Sequence, residues 1–106
     1  MDEKKHRKIK EIIDTIARKY RPEKIFLFGS YVWGKTREDS DLDFFIIKKT
    51  KEPMSKRMED VDRLFKRREF AMDFLVYTPE QVEKRKKMND RFIINIVDKG
   101  KLLYAK

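Results

Sequence analysis

Residues 24–47 read KIFLFGSYVWGKTREDSDLDFFII, and the fold turns on them. Lys24 to Phe28 is a short apolar run ending in Gly29-Ser30, which predicts a buried strand entering a sharp turn. Leu42 to Ile47 is a second such run, opened by acidic residues, and predicts a second strand. The residues just after Gly29-Ser30 predict a short helical turn. A strand that enters Gly-Ser and then a helical turn leaves several backbone N–H groups unpaired and pointing the same way. That geometry suits a phosphate, and the Ser30 hydroxyl adds a donor. Gly29 lets the chain bend sharply with a ligand close to its backbone. An ordinary tight turn would account for Gly29-Ser30 taken alone.

Outward from this stretch the pattern alternates between helical and extended periods. Ile9, Ile12, Ile13, Ile16, Ala17 and Tyr20 recur at helical spacing, with Lys and Arg on the other face, and Pro22 stops that helix. Met54 to Arg68 predicts a helix with Met58, Val61, Leu64 and Phe65 inward, and Ala71 to Tyr77 a third strand. Thr78-Pro79-Glu80-Gln81 has the form of a capped helix start, with Thr78 as cap and Gln81 closing a capping box. Phe92, Ile93, Ile96 and Val97 predict a last helix, ended by Gly100 as a left-handed cap, and Lys101 to Tyr104 a short final strand. This order predicts an α/β (α+β) fold, a small mixed sheet with helices packed on it, in a single domain spanning residues 1–106.

The composition sets bounds on function. The chain has 106 residues, 40% hydrophobic with eight Phe, enough for one core and unlike a disordered basic tail. It has no cysteine, which excludes disulfides and thiolate metal sites. The apolar runs are too short for a bilayer and no secretory segment follows the charged start, so a cytoplasmic protein is expected. The net charge of +9 suits polyanionic partners such as nucleotides or RNA, but a Lys/Glu-rich solvated surface also explains it. His6, the lone histidine, lies in a basic helical turn and reads as solvated. The basic clusters Lys66-Arg67-Arg68 and Lys84-Arg85-Lys86-Lys87 are expected to face water, with RNA or an acidic partner as the alternative.

The chemistry lies in the carboxylates. Side chains alternate along a strand, so Asp41 and Asp43 project from one face, roughly 7 Å apart. Asp73 sits near the start of the third strand and joins them if that strand lies beside the second. Carboxylates about 5 Å apart repel by roughly 3 kcal/mol per pair at an effective dielectric of 20. Without a cation at least one should hold a proton. A cluster of this kind suits a hard divalent ion, Mg²⁺ or Mn²⁺, whose coordination a triphosphate completes. Two such ions can clamp an in-line displacement at phosphorus. Asp41 and Asp43 would then position ions and triphosphate. Asp73 would hold the ion that activates the acceptor hydroxyl, or accept its proton, and Ser40 would orient a carboxylate or phosphate. Each Asp alone reads as a polar strand start; the turn and three acids together read as catalytic.

The pattern Gly-Ser-x3-Gly-x5-Ser-Asp-x-Asp-x-x-Ile at residues 29–46, followed by Asp73, resembles the nucleotidyltransferase superfamily typified by DNA polymerase beta, and in size its minimal members, the MNT proteins. The resemblance spans about residues 24–77, with a less diagnostic likeness from Thr78 to Tyr104. It implies Mg²⁺-dependent transfer of a nucleoside monophosphate, with AMP the expected group, from a triphosphate such as ATP, with release of pyrophosphate. It implies that Gly29 and Ser30 contact phosphates and that Asp41, Asp43 and Asp73 form a metal triad. It further implies pairing with a helical HEPN toxin, the MNT protein being the antitoxin and a toxin tyrosine the acceptor. The sequence departs from the usual pattern at Tyr31, Val32 and Trp33, where small or basic residues are common. Val32 is expected to pack inward, and Trp33 either covers the core or stacks on a base. Lys35 and Arg37 either neutralise triphosphate charge or lie in a solvated loop.

Two other readings compete with an active transferase: an antitoxin that masks its partner through a weak nucleotide site, and a basic nucleic-acid-binding domain. Strand alternation also places Phe45, Ile47, Leu75 and Tyr77 on the face of Asp43 and Asp73, and Phe44, Ile46, Phe74 and Val76 on the other. A sheet apolar on both faces needs cover on both. A homodimer or another protein is therefore expected to complete the face near the site, unless the C-terminal helices wrap round it.

Overall fold

The structure, a computed structural model, describes residues 3–29, 32, 41–66 and 71–106. In chain order the elements are α1 (Glu3–Lys19), β1 (Lys24–Phe28), β2 (Leu42–Ile47), α2 (Met54–Asp62), β3 (Met72–Tyr77), α3 (Pro79–Lys87), α4 (Arg91–Lys99) and β4 (Lys101–Ala105). The strands form one mixed sheet in the order β3-β2-β1-β4. β1 runs antiparallel to both β2 and β4, while β2 and β3 are parallel. A parallel pair needs a crossover, and α2 supplies it. No described helix is long and apolar enough to cross a membrane.

The two faces of the sheet carry separate cores. On one, Ile25 and Leu27 of β1, Phe44 and Ile46 of β2, and Phe74 and Val76 of β3 pack against Ile9, Ile12 and Ile16 of α1 and Val61 of α2. Phe74 lies between two stacked rings, Phe44 at 5.5 Å and Phe65 at 5.6 Å between centroids. On the other face, Phe26, Phe28, Phe45 and Ile47 pack beneath Val82 of α3 and Ile93 and Ile96 of α4. Phe45 bridges Phe26 at 6.3 Å and Tyr77 at 5.2 Å. The C-terminal helices α3 and α4 thus wrap round this face, the alternative to cover by a second protein. The helices could do this because the Asp90 carboxylate caps α4 directly after α3 ends, folding an amphipathic stripe back onto the sheet.

Local signals explain most element ends. α1 stops where Tyr20 and Arg21 both donate to the Ile16 carbonyl, Arg21 takes a left-handed φ of 54°, and Pro22 follows. The capping box is present: Gln81 N–H donates to Thr78 Oγ1, and Thr78 N–H donates to Gln81 Oε1. Lys84 to Lys87 are exposed on the last turn of α3.

Three expectations need correction. The helix from Met54 ends at Asp62, where i→i+3 bonds from Leu64 to Val61 and from Phe65 to Asp62 tighten the turn. Leu64 and Phe65 still reach the first core, whereas Met58 faces outward. Gly100 is not left-handed: its φ of −69° and ψ of 167° carry the chain straight from α4 into β4. A glycine is needed there for space, because a Cβ would lie 2.3 Å from the Ile96 carbonyl oxygen. Phe92, one of the apolar positions that mark α4 in the sequence, is half exposed. The short helical turn after Gly29-Ser30 and the residues Tyr31, Trp33, Lys35 and Arg37 lie outside the described residues, apart from Val32, which is helical and packs against the first core.

Arg57 carries a role that periodicity did not reveal. It is only 7% exposed and donates to the carbonyls of Glu52 at 2.7 Å and Val76 at 3.1 Å and to Gln81 Oε1 at 2.8 Å. One guanidinium thereby ties α2, β3 and the α3 cap together.

Candidate active site

Register decides the site. Asp43 of β2 and Asp73 of β3 are direct partners in the parallel ladder, and Asp43 is also the partner of Phe28 across β1. Residues facing each other on neighbouring strands share a face of the sheet. One end of the second face therefore carries a row: Asp73, Asp43, Phe28. The ladder continues one step beyond β2, since Leu42 N–H donates to the Ala71 carbonyl at 2.9 Å, which fixes the register just where the acids lie.

The electrostatics follow. Burial raises the Asp43 carboxyl above its usual range, and the charges of Asp73 and Asp41 and a hydrogen bond to Asp73 raise it further. The crowding of acids thus favours the protonated form of Asp43, and a cation placed there would relieve the same repulsion. Asp41, exposed just before β2, is near enough to act on Asp43. Among the described residues, however, no three His, Asp or Glu side chains form a ready-made metal cage.

The donor chemistry nevertheless fits a nucleotide-bound divalent ion. Mg²⁺ typically takes one or two protein carboxylates and completes its shell with phosphate oxygens and water, so a preformed cage of three is not required. Asp43 and Asp73 supply hard oxygens only, on adjacent strands, with Asp73 open to solvent on the edge strand β3.

Gly29 completes the described part. Its φ is +86°, and a Cβ there would lie 2.2 Å from Asp43 Oδ2. The exit of β1 is thus drawn against the carboxylate, and only glycine leaves room for both the bend and the contact. The chain turns at once, with Val32 N–H donating to the Gly29 carbonyl at 3.0 Å. Of the six site residues expected from sequence, Gly29, Asp41, Asp43 and Asp73 lie at this end of the sheet. Ser30 and Ser40 lie outside the described residues.

The family described as "Polymerase beta, Nucleotidyltransferase" matches residues 10–106, and the chain belongs to that family. A curated relative from Methanocaldococcus jannaschii, named a "putative protein adenylyltransferase", is 31% identical over 107 residues, covering 91% of this chain and 94% of its own length. No solved structure gives a significant match.

Proposed function

We propose that this nucleotidyltransferase moves AMP from ATP to a hydroxyl of a protein acceptor, with Asp41, Asp43 and Asp73 holding Mg²⁺, or Mn²⁺ in its place. The observation that carries the reading is the Asp43–Asp73 pairing on adjacent parallel strands, with its raised carboxyl. When bound, the metal ion would neutralise the triphosphate and the developing charge at phosphorus. The acceptor oxygen forms a bond to the α-phosphorus, the bond from that phosphorus to the bridging oxygen of the β-phosphate breaks, and pyrophosphate leaves. Asp73, open to solvent on the edge strand, takes the acceptor proton. Gly29, with Ser30 and Ser40, would steer the phosphates. A protein acceptor is supported by the name of the archaeal relative. A tyrosine of a small helical toxin of the HEPN type is the acceptor and partner we favour, which would make this chain an antitoxin.

The test is transfer of label from α-labelled ATP, with Mg²⁺ and with a chelator, to the candidate toxin and to a lysate of the host. Metal-dependent labelling that vanishes in Asp43→Asn and Asp73→Asn is expected. Labelling that survives both substitutions would overturn the assignment.

A further inference from the structure

Phe92 is the unexplained feature of this end of the molecule. It stands in the first turn of α4 with 49% of its surface exposed, while Ile93 and Ile96 on the same helix are fully buried. Its ring meets Phe28 edge to face, with centroids 5.7 Å apart and planes at 85°. Whichever ring presents its edge, at least one π face of Phe92 is not used by Phe28. The backbone that carries the ring is fixed, because the Asp90 carboxylate that caps α4 accepts from Phe92 N–H at 3.1 Å. Leaving half of a phenyl ring in water forgoes favourable burial.

Its position is what matters. Phe28 is the ladder partner of Asp43, so the row across the sheet end runs Asp73, Asp43, Phe28 and then Phe92. Facing side chains on neighbouring strands are about 5 Å apart, and the ring contact adds a similar step, so Phe92 stands on the order of 10 Å from the Asp43 carboxylate. A span of that order has room for an α-phosphate and a ribose. A flat, desolvated group arriving at that distance finds an aromatic face.

We propose that Phe92, braced by Phe28, is the platform on which the nucleobase of the triphosphate stacks, a reading that rests on the nucleotidyl-transfer assignment above. Stacking on a single ring needs only a π face, so the platform favours all four bases and discriminates weakly among them. It sets affinity and the placement of the α-phosphate over the acids.

Calorimetry with the full chain tests this, comparing Mg²⁺–ATP with Mg²⁺–tripolyphosphate, which carries phosphates but no base. Removing a stacking side chain typically weakens binding by about 5- to 150-fold per base. Phe92→Ala is expected to weaken ATP by about tenfold or more while tripolyphosphate stays within about twofold, and Phe92→Tyr to restore ATP binding. Unchanged ATP binding in Phe92→Ala overturns the proposal. So does a parallel loss of tripolyphosphate, which would make the ring a prop for the phosphate site. Unchanged ATP binding with slowed transfer to the acceptor would assign the ring to the acceptor and also overturn it. If the unsubstituted protein binds tripolyphosphate as tightly as ATP, the platform falls and the transferase reading stands; if it binds neither, both fall.

Discussion

A Cβ placed on Gly29 would lie 2.2 Å from Asp43 Oδ2. The turn and the carboxylate are therefore built against each other, and neither can change without the other. Gly29→Ala should cost stability through the left-handed φ of 86°, by roughly 1–2 kcal/mol. It should also push the Asp43 carboxylate off its position, and nucleotide transfer should fall far more than the lost stability explains. Urea unfolding and labelling kinetics on the same preparation check both.

The raised carboxyl of Asp43 makes a prediction with a definite sign. The folded Asp43 carboxyl sits above its ordinary range, because of burial first and the neighbouring acids second. The fold therefore favours the protonated form. In the metal-free protein this contribution is complete below the ordinary carboxylate range and is lost as pH rises through the higher folded value. Asp43→Asn should abolish transfer yet raise metal-free stability at neutral pH by roughly 0.5–1 kcal/mol, the scale of partly exposed charge pairs. Thermal melts across pH 4 to about 8 should show the two proteins converging at the acid end.

A divalent ion competes with that proton. Mg²⁺–nucleotide binding should therefore strengthen as pH rises through the folded value of Asp43 and release protons. Calorimetry in two buffers of different ionisation enthalpy measures the release, which should disappear in Asp43→Asn.

Arg57 should be the most sensitive polar position away from the site. Its side chain satisfies the carbonyls of Glu52 and Val76 and Gln81 Oε1 from a buried position. Hydrogen bonds from charged groups are worth about 1.5–3 kcal/mol, and orphaned buried acceptors add to the loss. Arg57→Ala should cost about 3 kcal/mol in chemical denaturation. Arg57→Lys should recover little, because one ammonium cannot reproduce the planar fork.

The α3 cap should make a smaller contribution, coupled to that of Arg57. Thr78→Ala removes the hydroxyl that accepts from Gln81 N–H and should cost about 1 kcal/mol. Its effect should be less than additive with Arg57→Ala, since both changes loosen Gln81, whose Oε1 accepts from Thr78 N–H and from Arg57. A double-substitution cycle by urea unfolding gives the coupling.

Much of the architecture was present in the chain's local patterns. β1 and β2 run from Lys24 to Phe28 and from Leu42 to Ile47, as their apolar runs predict, and the capping box at Thr78 forms as its residues require. These features depend on neighbours within a few positions, where backbone sterics and side-chain alternation act directly. Asp41 and Asp43 could be named as a pair for the same reason, and Gly29 as a bend. Which strand lies beside which is not a local property. Asp73 faces Asp43 only because β2 and β3 pair in parallel with that one register, and a slip of one residue would turn Asp73 to the other face. Long-range packing also decided that α3 and α4 cover the second face, that Gly100 serves for space and not for a left-handed turn, that Arg57 goes inside, and that Phe92 stays half outside. Periodicity states how a segment can present its side chains; only the assembled sheet determines what each one meets.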